Sequence, residues 1–346
     1  MDNLQSYKST PKDIFLRYKS LLIVTAILAV LPLALGSSQY LIHAGVMMLW
    51  WGYMATAWNV MGGLLGHYAM GNGIYMAVGA YVTGALFKYA GMSPWLGMIV
   101  AALITCVISC LAALPCFRLR GTYYALSTVA LLFIGKTVIT NEQYIFGIDF
   151  GASLGFRVPY VGGFANMQFV NKEPYFYIML ALFALAIALV ITINYSKVGY
   201  YFGAIKSNQE AAEAVGVDTT KYKLLAQFIC TFLTAVGGGF YVMFLLYLDP
   251  SRVLQYGFSI EILLFAIVGG LGTVWGPAVG AFILYPLSEF MRVAFGDAGS
   301  LSKAGYALIF MLIVFFMPKG VFPWMAAKTN EIMGKLKAKK TAKEAK

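Results

Sequence analysis

The sequence predicts an all-α, polytopic integral membrane protein. Three observations carry that prediction. Of the 346 residues, 60% are hydrophobic and only 11% are charged, whereas soluble domains carry about 25% charged residues. The apolar residues fall into repeated runs of about 20, the length that crosses a bilayer as a helix. Glycine is abundant at 36 residues, which suits close helix packing in lipid.

Ten apolar runs follow one another: 21–35, 40–65, 71–90, 95–116, 123–141, 175–195, 224–247, 257–274, 275–295 and 302–317. The first is short and closed by Pro32 and Gly36. The polar segment 1–20 before it is long for the basic head of a cleaved leader, so the run reads as a first transmembrane helix behind an N-terminal tail. Runs five and six are joined by about thirty residues containing Gly147, Gly151, Gly155, Gly162 and Gly163, longer than an ordinary connection. Runs six and seven are separated by residues 196–223, which are polar yet carry helix signals. Runs three and eight are rich in glycine and compatible with broken or re-entrant helices. About ten spans are therefore expected, with eight full spans as the alternative.

Lys and Arg set the expected orientation. With ten spans, eighteen of the 25 basic residues fall on one side. They lie in the tail 1–20, at Arg118 and Arg120, in 196–223 and in the Lys-rich tail 318–346. Both termini and the insertion 196–223 are thus expected in the cytoplasm. The net charge of +11 is a membrane-flanking charge, suited to lipid surfaces and topology, and nucleic acid is not an expected partner.

Two glycine turns echo one another. Gly62-Gly63-Leu64 precedes Gly79-Ala80-Tyr81, and Gly269-Gly270-Leu271 precedes Gly280-Ala281-Phe282. Transporters are often built from such repeats. The intervals differ, and chance recurrence in a glycine-rich chain explains the echo equally well.

Little in the chain suggests chemistry. Gly135-Lys136-Thr137 ends like a phosphate loop, but the glycine required five residues before Gly135 is Ala130. Any ATP hydrolysis is expected on other chains. Lys136 reads as a side chain reaching for the interface. Cys106, Cys110, Cys116 and Cys230 read as small packing residues. His43 and His67 are isolated, so no metal, cofactor or catalytic residue is expected. Glu261 and Glu289 are the only acids within the runs, which counts against a proton- or sodium-driven carrier. Glu289 and Arg292 are spaced to pair on one helix face. Asn59, Tyr123, Ser127 and Thr128 put polar groups at membrane depth, where they serve either helix packing or the path of a polar substrate. They are the candidate pathway residues.

The insertion 196–223 is the most informative stretch. Ser207-Asn208-Gln209-Glu210 fits a capping box, with a hydroxyl at the N-cap and Glu three residues on. A helix of about two turns then runs to Val215, and Gly216 suits its left-handed end. Ala211, Ala212 and Ala214 allow a partner to approach closely, and Glu210 and Glu213 offer charge.

Glu210-Ala211-Ala212, with Gly216 four residues beyond, resembles the Glu-Ala-Ala loop of bacterial ABC importer permeases. More of the chain resembles one branch, the branched-chain amino acid permeases of the LivM type. Gly66-His67-Tyr68 through Gly79-Ala80-Tyr81 is similar to that family's glycine-rich segment. Arg120-Gly121-Thr122-Tyr123-Tyr124-Ala125 is similar to its Arg-Gly-x-Tyr-Phe-Ala stretch. Ser196-Lys197-Val198-Gly199 and Ala204-Ile205-Lys206 lead into the loop in the family's order. Gly269-Gly270-Leu271-Gly272-Thr273, Gly276-Pro277 and Met317-Pro318-Lys319-Gly320 resemble its close. The chain departs from the pattern at Tyr200, where the family has Arg, and at Lys206-Ser207, where it has Arg-Glu. Phe146-Gly147-Ile148-Asp149-Phe150-Gly151 replaces a Thr-Gly-Gly cluster in the outer loop.

The resemblance implies a transport subunit of the bacterial inner membrane rather than an enzyme. Its partners would be a second permease subunit, two ATP-binding subunits and an extracytoplasmic substrate-binding protein. The cargo would be branched-chain or other hydrophobic amino acids, with urea or short amides as the related alternative. An ion-coupled secondary transporter is the alternative of another class. Glu210, Ala211, Ala212 and Gly216 would carry the coupling to the ATPase.

Overall fold

The computed structural model describes residues 11–34, 38–119, 121–142, 144–145, 148–149, 151–295 and 299–329. Half of the N-terminal tail, most of the basic tail, and Gly36, Arg120, Phe146, Gly147 and Phe150 lie outside the described residues.

The regular elements among the described residues are helical apart from four two-residue strands. Helices α1 (Pro11–Ala34), α2 (Gln39–Asn59), α3 (Gly73–Ala90), α4 (Pro94–Cys116), α5 (Thr122–Asn141) and α6 (Glu173–Asn194) follow the first six apolar runs. Next come α7 (Lys197–Ser207), α8 (Gln209–Ala214) and α9 (Thr219–Leu245). The chain continues through α10 (Pro250–Val253), α11 (Tyr256–Gly269), α12 (Gly276–Phe295) and α13 (Gly299–Phe316) to a last helix, α14 (Val321–Thr329). Five of these, α4, α5, α6, α9 and α12, are long and apolar enough to cross a membrane. A sixth span results if α13 and α14, bent by 46° at their junction, are taken together. This is a multi-pass membrane protein.

Five expectations need correction. Helix α1 starts at Pro11, so the tail expected over 1–20 is helical from residue 11. The tail expected from 318 opens with α14, whose Val321 is buried. Run seven begins early, at Thr219, because Asp218 caps the helix there: its carboxylate accepts from Lys221 N at 3.0 Å. Run eight ends at Gly269, giving α11 only 14 residues, about 21 Å of helix. The break expected within run three falls before it instead. Helix α2 widens into a π-turn, Val60–Leu64, and residues 65–72 run irregularly to α3.

The bundle is organised on α2 and α9. Trp50 Nε1 donates to Gly237 O at 2.8 Å, and Tyr53 Oη donates to Leu233 O at 2.8 Å, both buried. In a lipid-surrounded bundle such bonds keep polar atoms satisfied while the helices pack. Helix α3 lies against α9 with backbones nearly touching. A Cβ on Gly238 would stand 2.1 Å from Met76 O, and one on Gly79 would stand 2.5 Å from Ala235 O. The hairpin of α11 and α12 is equally close, since a Cβ on Gly280 would be 1.9 Å from Phe265 O.

The two ends of the bundle differ. At one end the connection between α5 and α6 folds into β1 (Tyr144–Ile145) paired with β2 (Ile148–Asp149), and β3 (Phe156–Arg157) paired with β4 (Tyr247–Leu248). That end also carries Gln39, whose amide oxygen accepts from Lys172 N at 3.2 Å. The opposite end gathers α7, α8, the π-turn of α2 and the 270–275 turn.

Candidate coupling site

At the end bearing α7 and α8, the chain leaves α6 at Asn194 and turns on Ser196. Its hydroxyl caps α7 by accepting from Gly199 N at 3.4 Å. Helix α7, which the sequence reading did not anticipate, buries Phe202 and Ile205 on its inner face. The cap expected at Ser207 moves one residue. Ser207 closes α7 by donating to Gly203 O at 2.9 Å, and Asn208 caps α8 by accepting from Ala211 N at 3.1 Å. Both hydroxyl and amide are good caps. The extended backbone at Asn208 (φ −162°) decides which of them starts the helix.

Helix α8 ends as expected. Gly216 has φ +86°, Gly216 N donates to Glu213 O at 2.9 Å, and Val217 N donates to Ala212 O at 3.0 Å. This is the paired closure that a left-handed glycine allows. The helix is also held from beneath. Lys223, 2% exposed, donates to Gln209 Oε1 at 2.8 Å. Gln209 donates in turn to Glu213 Oε1 at 2.8 Å, and Thr219 Oγ1 donates to the same oxygen at 2.6 Å. A buried ammonium needs such partners to stay charged.

Of the expected coupling residues, Glu210, Ala211 and Gly216 are exposed, whereas Ala212 is buried as the anchor of the inner face. Val215, 80% exposed, extends the outer face. The result is a small-residue knob with a carboxylate on it, fixed rigidly to α9.

The knob is wired to the bundle interior through Lys206. Its ammonium donates to Gly63 O at 2.6 Å. Gly63 sits in the π-turn, one turn from Asn59. Asn59 Oδ1 accepts from Gly272 N at 2.9 Å, and Asn59 Nδ2 donates to Thr273 O at 3.0 Å. The two glycine turns echoed in the sequence are thus joined, by one fully buried amide. Pro323 of α14 packs against Gly270 beside them.

The four candidate pathway residues do not converge. Asn59 lies in this joint. Thr128, buried, accepts from Met70 N at 3.0 Å and donates to Ala125 O at 2.7 Å. Ser127 donates to Tyr124 O at 2.7 Å, and Tyr123 is 69% exposed. Asn59 and Thr128 therefore anchor the two ends of the irregular segment that follows α2. Between them sits His67, against the rings of Phe117 and Tyr124. Burial, reinforced by the Lys223 charge, pushes its imidazole down to about 4.

Sequence reasoning missed Lys206, Lys223 and Gln209 as parts of this site. The available signal was two lysines bracketing a short capped helix, one of them on the second turn of a largely apolar one. Among the described residues no three of His, Cys, Asp and Glu gather as metal ligands.

Comparison with known proteins gives a consistent result. Residues 40–317 match the family described as the branched-chain amino acid transport system / permease component. The chain is 25% identical over 286 residues to the high-affinity branched-chain amino acid transport system permease protein LivM of Salmonella typhimurium. It is 24% identical over 289 residues to LivM of Escherichia coli. Each alignment covers 77% of this chain and 66% of the relative, so the chain spans just under two thirds of the length of these curated relatives. A probable branched-chain amino acid transport permease protein LivH of Methanocaldococcus jannaschii is 28% identical over 265 residues, 72% of this chain and 81% of that protein. No solved structure matches.

Proposed function

The chain belongs to the branched-chain amino acid transport permease family, and from that premise we propose that it is the permease subunit of an ABC importer for branched-chain or other hydrophobic amino acids. It resides in the inner membrane of a bacterium and crosses it ten times with both termini in the cytoplasm. It works with a second permease subunit, two ATP-binding subunits and an extracytoplasmic substrate-binding protein. The reading is supported above all by one observation: an exposed six-residue helix, α8, tied by Lys206 and Lys223 into the helices that form the bundle's centre.

The proposed mechanism follows from linkage. ATP binding closes the ATPase pair against the surface formed by Glu210, Ala211 and Gly216. Movement of α8 and α7 carries Lys206, and with it the Gly63 turn, relative to the Asn59–Gly272 joint. The bundle then exchanges access from one face to the other. The knob transmits only as much free energy as its contacts differ between the two states. The basic groups near α7 and α8 support a cytoplasmic placement of that end.

The test is Ala211→Arg. Ala211 is exposed, so folding and membrane insertion should be unchanged, as read by thermal unfolding in detergent. Leucine uptake by the assembled complex should fall by at least about tenfold, the loss of roughly 1.4 kcal/mol of coupling. Uptake and substrate-stimulated ATP hydrolysis at normal levels would remove α8 from the ATPase interface. Uptake by this chain alone on a proton or sodium gradient would favour the ion-coupled carrier.

A further inference from the structure

At the end of the bundle away from α8, a cavity of about 300 Å³ opens between α2, α9, α10, α11, α12 and α13. That is the small end of the range for small-molecule sites, about 300–1,000 Å³. Its lining is unusual for this chain. Both acids of the apolar runs, Glu261 and Glu289, line it together with Arg252 and Arg292. Two carboxylates and two guanidinium groups thus share one small space and balance in charge. Glu289 and Arg292 form an ion pair, as their spacing implied. The walls between the charges are apolar and aromatic, from Trp51, Tyr241 and Phe265.

Two further atoms lack what buried polar atoms normally have. His43 Nδ1 and Tyr306 Oη both belong to the lining, are shielded from solvent, and have no hydrogen-bond partner in the protein. An unpaired buried polar atom costs about 1–3 kcal/mol. At the bundle's centre the buried polar side chains Trp50, Tyr53, Asn59 and Thr128 are all bonded. His43 and Tyr306 sit together in a cavity that also collects opposite charges.

We propose that this cavity binds the zwitterionic head of a free hydrophobic amino acid, on its way from the outer face into the bundle. This rests on the importer reading above and assigns that reading a substrate site. A guanidinium group meets the α-carboxylate and a carboxylate meets the α-ammonium, each a charge-assisted hydrogen bond. Tyr306 Oη and His43 Nδ1 complete the shell, and the aliphatic side chain lies against the aromatic wall. A ligand with only one of the two charges meets only half of this charge pattern. An uncharged ligand such as urea or a sugar meets neither half.

The test uses the assembled complex in membrane vesicles with Ser288→Cys, a position on the cavity wall. A thiol reagent that does not cross membranes is added from the outer side, with the unsubstituted complex as the blank. L-Leucine should protect the cysteine, whereas 3-methylbutylamine and 4-methylpentanoate, each lacking one charge, should not. Protection by all three or by none overturns the proposal. So does failure to label either Ser288→Cys or a second lining variant, Met47→Cys. In the same assay Tyr306→Phe should raise the leucine concentration for half-protection by about threefold to tenfold, the loss of one hydrogen bond. Unchanged protection would mean the hydroxyl faces no ligand. Leucine uptake that proceeds without ATP would overturn the importer reading while leaving the protection result to stand for the cavity.

Discussion

The two ends of the bundle treat their polar groups in opposite ways. Around α8 every buried polar side chain is bonded within the protein: Asn59 to the 272–273 backbone, Lys223 to Gln209, and Thr219 to Glu213. At the other end His43 Nδ1 and Tyr306 Oη are left without protein partners beside two pairs of opposite charges. A fully satisfied network is stiff, because moving any member breaks several bonds. An unsatisfied one is stabilised by whatever polar guest enters. One end is built to transmit displacement, the other to receive a ligand.

That contrast is breakable, and the largest effect should come from the satisfied end. Asn59→Leu removes both bonds across the joint and leaves Gly272 N–H and Thr273 C=O without partners. Stability should fall by about 2–3 kcal/mol, seen as a lower unfolding temperature of the purified chain. If the unfolding temperature holds, the joint is not what links the two turns. Lys206→Met is next, removing one charge-assisted bond to Gly63 O, worth about 1.5 kcal/mol. The more telling readout is functional: ATP hydrolysis by the complex should become less dependent on substrate, because the knob no longer reports on the Gly63 turn. Unaltered stimulation would move the coupling route to Lys223 and α9.

A pH titration sharpens the comparison at His67. The folded protein keeps this imidazole neutral down to about pH 4, whereas an unfolded chain protonates it near 6.5. The unfolded state therefore binds more protons in that window, and stability is lost as pH falls from 6.5 toward 4. His67→Gln should flatten that part of the stability profile, and an unflattened profile would assign the loss to other groups. The smallest effect belongs to the unsatisfied end. Tyr306→Phe deletes a hydroxyl that bonds nothing in the protein, so stability should change by less than about 0.5 kcal/mol or rise slightly. A drop comparable to that of Asn59→Leu would mean the hydroxyl is structural.

Much of this was legible beforehand. Among the described residues, the nine helices longer than 14 residues, together with α11, fall on the ten apolar runs, because helices in lipid are written as unbroken apolar lengths. The pairing of Glu289 with Arg292 and the left-handed end at Gly216 were local enough to be seen as spacing. Capping was legible in kind but not in position. Ser207 and Asn208 are both competent, and only the backbone turn between α7 and α8 selects Asn208. Helix α7 went unread because its polar residues hide a short inner face, Phe202 and Ile205, that makes sense only against α9 and the π-turn.

By itself, then, the sequence determined the class of the protein, the order of its apolar segments, and the short capped helix on which coupling is proposed to rest. These depend on composition, on hydrogen bonds between near neighbours, and on the refusal of a lipid phase to solvate the backbone. The tertiary structure alone decided that Asn59 meets Gly272, that Lys206 reaches Gly63, and that Arg252, Glu261, Glu289 and Arg292 share a cavity with His43 and Tyr306. The Asn59 bond to Gly272 joins residues 213 positions apart. Such a contact is set by how helices pack, and the packing here is set by backbones that touch where glycine leaves no side chain between them.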